Sequence, residues 1–141
     1  MKKNVLIVVG VILVLAVIAQ LIPLPGRGKN PPVVAEPKWD SPQTQALAKR
    51  ACFDCHSNET VWPWYSYVAP VSWLIYRDVV AGRSKLNFSE WNRNQPAVLE
   101  ASDQVLSNEM PPSFYLPLHP SAQLTTAERQ QLATGFNNTF K

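Results

Sequence analysis

Cys52-Phe53-Asp54-Cys55-His56 contains the only two cysteines of the 141-residue chain, three residues apart, with a histidine directly after the second. On a helical turn this spacing puts both thiols on one side. In an exported chain, Cys-x-x-Cys-His reads as a c-type haem attachment site. The thiols form thioethers to vinyl groups along one edge of the porphyrin, and His56 lies under the iron and donates a ring nitrogen. A covalent tether keeps that histidine at high effective concentration in either redox state. The run therefore predicts one covalently bound haem c per chain, attached through Cys52 and Cys55, with His56 as the first axial ligand.

Three other readings compete. Structural zinc needs four ligands, and the available set, Cys52, Cys55, His56 and His119, has two adjacent ligands and one remote, a poor match to zinc spacing. A thiol oxidoreductase carries Cys-x-x-Cys at a helix start after a strand, and no strand pattern precedes Cys52. A plain disulfide leaves the histidine without a role.

The N-terminus constrains where such a site operates. Asn4 to Gly26 carries no charge, and Val5 to Ile22 is almost wholly aliphatic. At about 1.5 Å per residue that stretch covers about 27 Å, close to the hydrocarbon thickness of a bilayer. Lys2 and Lys3 followed by an apolar run and Val17-Ile18-Ala19 also match a cleaved signal peptide. Continuation of the run through Leu21, Ile22 and Leu24 favours a retained anchor. The expectation is a single-pass inner-membrane protein whose remaining chain lies on the periplasmic, extracytoplasmic side. Basic residues on both flanks (Lys2 and Lys3, Arg27 and Lys29) make charge a weak guide to orientation.

The net charge of +3 belongs to the N-terminal region, because from Asp40 onward eight basic residues face nine acidic ones. The cations are scattered, so no nucleic-acid surface is expected. There is no carboxylate pair, nucleophile triad or phosphate loop to indicate a hydrolase.

In order, residues 1–26 read as the anchor, 27–38 as a proline-rich linker, either semi-rigid or disordered, and 39–141 as the haem-binding domain. Ser41 or Asp40 caps a helix with Pro42 at its first position, which runs to Ala51 and delivers the cysteines. Its inward face is Leu47, Ala48 and Ala51, with Lys49 and Arg50 wet. The loop after the cysteines is rich in rings. Trp62, Trp64, Tyr65 and Tyr67 join apolar bodies to polar tips that suit a porphyrin face, or else fill an ordinary core. Pro70 is expected to start a helix ended by Gly82 near Ala81; Arg77 and Arg83 are the nearest cations that could pair with propionates, with simple solvation of at least one as the alternative. Ser89 is expected to cap another helix, kinked or divided at Pro96 and ending at Asn108. Thr125 and Glu128 form a capping box for a last helix whose Leu132, Phe136 and Phe140, with small Ala133 and Gly135, should pack on the first.

Apart from the initiator, Met110 is the chain's only methionine, and Pro111 and Pro112 come directly after it. A thioether opposite histidine is a soft ligand that raises the potential of haem iron, and two prolines keep its backbone extended. Phe114 and Tyr115 are expected to close the pocket. His119 is the competing sixth ligand, and an open iron is the third possibility.

The runs Cys52 to Thr60, Trp62 to Ser66, Ala69 to Trp73, Asn87 to Trp91, and Met110-Pro111-Pro112 with Tyr115 together resemble the bacterial haem-binding domain family of membrane-anchored monohaem c-type cytochromes. The resemblance implies covalent haem and an all-α, cytochrome c-like fold, here of about four helices with long aromatic and proline-rich loops after one transmembrane helix. From the residues themselves, the expected cofactor contacts are Cys52, Cys55, His56, Met110, Trp62, Trp64, Tyr65 and Tyr115, with iron held by His56 and Met110. The expected function is electron transfer without enzymatic turnover, to redox partners the sequence does not name. A haem sensor or peroxidase-like domain with a labile distal position is the alternative.

Overall fold

Helices form where a cap and an apolar periodicity coincide. The computed structural model describes residues 2–141 and is all-helical, with no strand among the described residues. The helices are α1 (Lys2–Gln20), α2 (Pro42–Ala51), α3 (Phe53–His56), α4 (Val71–Lys85), α5 (Ala101–Leu106) and α6 (Thr126–Thr139). Tight 3-10 turns cover Trp64–Tyr67, Pro96–Glu100, Leu116–Leu118 and Pro120–Ala122. α1 is long and apolar enough to cross a membrane, and none of it is buried in the protein, features that a span and a signal sequence share.

The chain forms two compact units. One comprises the residues up to Lys29 together with Trp62–Asp78, and the other comprises Asn30–Val61 with Val79–Lys141. In the second unit, Ser41 caps α2 by accepting from the Thr44 N–H, and Pro42 fills the first turn as expected. Leu47, Ala48 and Ala51 are buried while Lys49 and Arg50 are exposed. α6 packs on α2, and a methyl at Gly135 would overlap the Thr44 side chain, so the crossing requires a residue without Cβ there.

Phe88 occupies the centre of this core and is 1% exposed. Its ring lies 5.3 Å from Trp39, 5.4 Å from Phe53, 5.9 Å from Phe136 and 6.2 Å from Trp91, centroid to centroid. Leu132, Val105 and Leu124 complete the apolar cluster. The proline-rich segment is tied to the same unit. Val34 and Ala35 both donate to the Ser89 carbonyl, at 2.9 and 3.1 Å, and Ala35 pairs with Glu90 as an isolated parallel bridge.

Two expected helix boundaries differ. Gly82 does not end α4, which continues to Lys85, because its missing Cβ is used for a close approach. Ser89 is not an N-cap, since its hydroxyl accepts from the Asn58 N–H at 2.9 Å. The helical stretch begins instead at Pro96, as a 3-10 turn that passes into α5. α5 gives way at Ser107, and Asn108 then takes a left-handed φ of 63°, a conformation asparagine tolerates at helix ends.

The capping box of α6 is complete. The Thr125 side chain accepts from the Glu128 N–H, and Glu128 Oε2 accepts from the Thr125 N–H at 2.8 Å. Glu128 Oε1 meets Arg50 of α2 at 2.7 Å. The Thr125 backbone bond, and after it the Arg50 bond, holds the Glu128 carboxyl down at about 2 against an ordinary 4.5. A depressed carboxyl stabilises the fold above its unfolded value and loses that contribution as pH falls through the folded one. Urea titrations should therefore show a stability gap between wild type and Glu128→Gln that is constant above pH 4.5 and closes as pH falls toward 2. Thr125→Ala should cost about 1 kcal/mol at neutral pH.

Candidate functional site

α2 ends at Ala51 and is capped by Cys52, whose N–H still donates to the Ala48 carbonyl at 2.8 Å. The chain then makes the single turn α3, in which Cys55 and His56 both donate to the Cys52 carbonyl, at 3.2 and 2.9 Å. The two sulfur-bearing residues thus stand on one helical turn with His56 next, and all three are partly exposed. Phe53 between them is 4% exposed and stacks on Phe88, which anchors the turn to the core.

His56 is held at two points by the segment after α4. Its carbonyl accepts from the Phe88 N–H at 2.8 Å, and its Nδ1 lies 2.9 Å from the Leu86 carbonyl oxygen. A carbonyl only accepts, so Nδ1 carries the proton and Nε2 the lone pair. Burial lowers the His56 pKa below its ordinary 6.5, against the carbonyls of Leu86 and Gly82, which favour the charged ring. A neutral imidazole with Nδ1–H fixed on a backbone carbonyl is the form in which histidine ligates a metal through Nε2.

Gly82, one helical turn before Leu86, is where α4 meets the cysteine turn. A Cβ at this position would overlap the Cys55 carbonyl oxygen and come within 3.0 Å of its carbonyl carbon and 3.1 Å of its Cβ. Arg83 comes next and fastens the loop beyond His56. Its Nε donates to the Ser57 carbonyl at 2.7 Å, and its Nη2 donates to Thr60 Oγ1 at 2.8 Å and Asn30 Oδ1 at 2.7 Å. Arg77 pairs with Asp78 at 2.9 Å on the surface.

The Leu86–Phe88 segment is itself fixed by a buried polar network. Asn87 Nδ2 donates to Asn58 Oδ1 and its Oδ1 accepts from the Ser89 N–H, both at 2.9 Å. Gln95 accepts from the Asn87 N–H and returns a bond from Nε2 to the Asn87 carbonyl at 3.2 Å. Asn58, Asn87, Ser89 and Gln95 are all buried.

Asp54, inside the motif, reaches in two further directions. Its Oδ1 accepts from the Val61 N–H at 2.9 Å and its Oδ2 from the Tyr115 hydroxyl at 2.6 Å. Tyr115 is therefore brought to the cysteine turn. The His119 ring stacks on it at 3.8 Å, with Nδ1 3.0 Å from the Tyr115 carbonyl. Met110 is partly buried, and its backbone is fixed on both sides: its N–H donates to the Gln104 carbonyl at 3.0 Å, and its own carbonyl accepts from Arg129 at 2.9 Å. Trp62, Trp64 and Tyr65 belong to the first unit, whereas Cys52, Cys55, His56, Met110 and Tyr115 belong to the second. Trp64 is 77% exposed and Phe114 58%.

Burial, with Cys55 alongside, pushes the Cys52 thiol up. Cys52 is partly exposed by area, but the groups crowded around its sulfur set this direction. Among the described residues no three His, Cys, Asp or Glu side chains cluster to hold a metal ion, so the zinc set is not assembled.

Leu86, Asn87, Gln95 and the contact made by Gly82 are not predicted by metal-ligand spacing. A buried run of Asn and Ser between two helices is the one signal that points to them. Among known proteins, the profile of the haem-binding domain family matches this chain over residues 14–138. No curated protein and no solved structure matches it.

Replacement of Gly82 by Ala should destabilise the protein in a urea titration. Overpacking of about 1–3 kcal/mol outweighs the roughly 1 kcal/mol that Ala gains over Gly in a helix. Asn87→Ala leaves the Asn58 oxygen and the Ser89 N–H buried without partners, which should cost roughly 2–4 kcal/mol. Both substitutions should also speed amide exchange at Phe88, whose N–H holds the His56 carbonyl.

Proposed function

The chain belongs to the haem-binding domain family and binds haem, and from that premise we propose that it is a membrane-tethered monohaem c-type cytochrome that transfers electrons outside the cytoplasm. The observation that carries this reading is the state of His56 beside two cysteines on one turn: Nδ1–H is committed to the Leu86 carbonyl, and the neutral Nε2 lone pair is left for iron. Cys52 and Cys55 are the attachment points, one haem per chain. When bound, the group would supply one-electron ferrous–ferric chemistry at a potential set by the residues that hold it and by its surroundings.

Met110 would hold the iron together with His56. The bonds to Gln104 and Arg129 fix its backbone, and Pro111 and Pro112 stiffen the segment beyond it. Two residues on braced backbones would suit electron transfer, because neither would need to move far as iron changes charge. Tyr115 borders the site through its bond to Asp54. α1, read as a retained anchor, keeps the domain at the outer face of the cytoplasmic membrane.

A second reading has one specific observation behind it. His119 holds Nδ1 against the Tyr115 carbonyl in the arrangement that orients His56, which makes it the rival sixth ligand or the neighbour of a labile distal position. That position would suit a haem sensor or a peroxidase-like domain.

Reduced protein from a host competent in cytochrome c maturation, denatured in alkaline pyridine, should give the absorption maximum of thioether-linked haem. A maximum at the position of unattached haem would refute the covalent reading. Met110→Ala should turn the ferric spectrum from low-spin to mixed or high-spin and lower the midpoint potential, while His119→Ala leaves both unchanged. The reverse pattern would move the sixth ligand to His119.

A further inference from the structure

Gln20 is the last residue of α1 and the only polar side chain between Val5 and Ile22. Both ends of its carboxamide are used within the first unit. Nε2 donates to the Tyr67 carbonyl at 2.6 Å, and Oε1 accepts from the Ala69 N–H at 3.0 Å. The aromatic turn Trp64–Tyr67 is thereby pinned to the end of an apolar helix. Two more contacts seat Tyr67 there. The Arg27 guanidinium stands 5.8 Å over its ring, and a Cβ at Gly28, which has a φ of 73°, would overlap its hydroxyl.

The surface carried by this turn and the start of α4 is unusually apolar for one facing water. Trp64 is 77% exposed, Val68 46%, Tyr67 44%, Val71 43% and Leu74 40%. Exposed apolar side chains gathered in one short segment mark an interaction surface. Its position identifies the occupant. A 19-residue helix is about 28 Å long and ends near the boundary of the hydrocarbon layer it crosses. That boundary is where tryptophan and tyrosine rings are enriched, their apolar bodies toward the acyl chains and polar edges toward the headgroups. Arg27 and Lys29 add positive charge next to α1, complementary to anionic phospholipid.

We propose that the Trp64–Leu74 surface is a membrane-interface docking surface, seated among the headgroups of the same bilayer that α1 spans. Gln20 serves as its clamp: by pairing one backbone carbonyl and one N–H of the loop, it lets that segment enter a zone poor in water without leaving those groups unsatisfied. The role assigns Trp64 to lipid rather than to a porphyrin face. It rests on the reading of α1 as a retained span.

Photocrosslinking to lipid tests it on the full-length, haem-loaded protein in vesicles of phosphatidylcholine and phosphatidylglycerol. Benzoylphenylalanine is placed, one site at a time, at Trp64, Val71, Leu13 within α1, and exposed Glu109 of the second unit, with the haem spectrum as the check on folding. Mass spectrometry should find lipid adducts at Trp64 and Val71 approaching those at Leu13 and several-fold above those at Glu109. Yields at Trp64 and Val71 no higher than at Glu109, with Leu13 still crosslinked to lipid, overturn the docking surface and leave the anchor standing. Failure at Leu13 as well removes the span itself, and the proposal falls with it.

Discussion

The Leu86 carbonyl and the Phe88 N–H, side by side on the segment after α4, fix the imidazole of His56 and its backbone carbonyl. The bracing of the second unit converges on that grip. An unanchored histidine ring can rotate and exchange tautomers; a ring whose Nδ1–H is bonded at 2.9 Å to a carbonyl presents one nitrogen in one direction. Phe88 sits in the middle of the aromatic core, so the same residue that closes the hydrogen bond to His56 is among the hardest to displace. Stability of the core and orientation of the His56 imidazole are thus coupled through one residue.

The grip is only as firm as the groups behind it. Asn58, Asn87, Ser89 and Gln95 are buried polar residues, and such groups are tolerated only when their partners are present. Here they form a connected set that spans the loop after His56 and the loop after α4, so neither can drift without exposing unpaired donors to an apolar interior. Gly82 acts on the same geometry sterically, since α4 reaches the Cys55 backbone only because no side chain intervenes. Arg83 and the Asp54–Tyr115 bond extend the bracing to Thr60 and to the loop after Met110.

Much of the fold could be read from local chemistry. Ser41 with Pro42, and Thr125 with Glu128, mark helix starts by a mechanism that operates within four residues, and both are present where expected. The inward face of α2 and the small residues of α6 come from helical periodicity, which is likewise local. The two boundaries that differ share a cause. Gly82 and Ser89 carry signals, a helix stop and a helix cap, that a tertiary contact can claim for another purpose. Gly82 gives up its terminator role to a close crossing, and Ser89 gives up its cap to the Asn58 N–H. Trp64 carries a ring of the kind that cores bury and is instead exposed, because an amphipathic ring is equally at home on a surface that meets something other than water.

The sequence by itself determined the chemistry on offer: two thiols and an imidazole on one turn, one soft thioether after α5, and an apolar helix at the N-terminus. These are properties of residue type and short spacing, which covalent geometry fixes. Only the tertiary structure decided which imidazole nitrogen is protonated, why position 82 excludes a side chain and which aromatic turn is clamped by Gln20. Each depends on a backbone group distant in sequence, and nothing in the local chain specifies where such a group will lie until the core has packed.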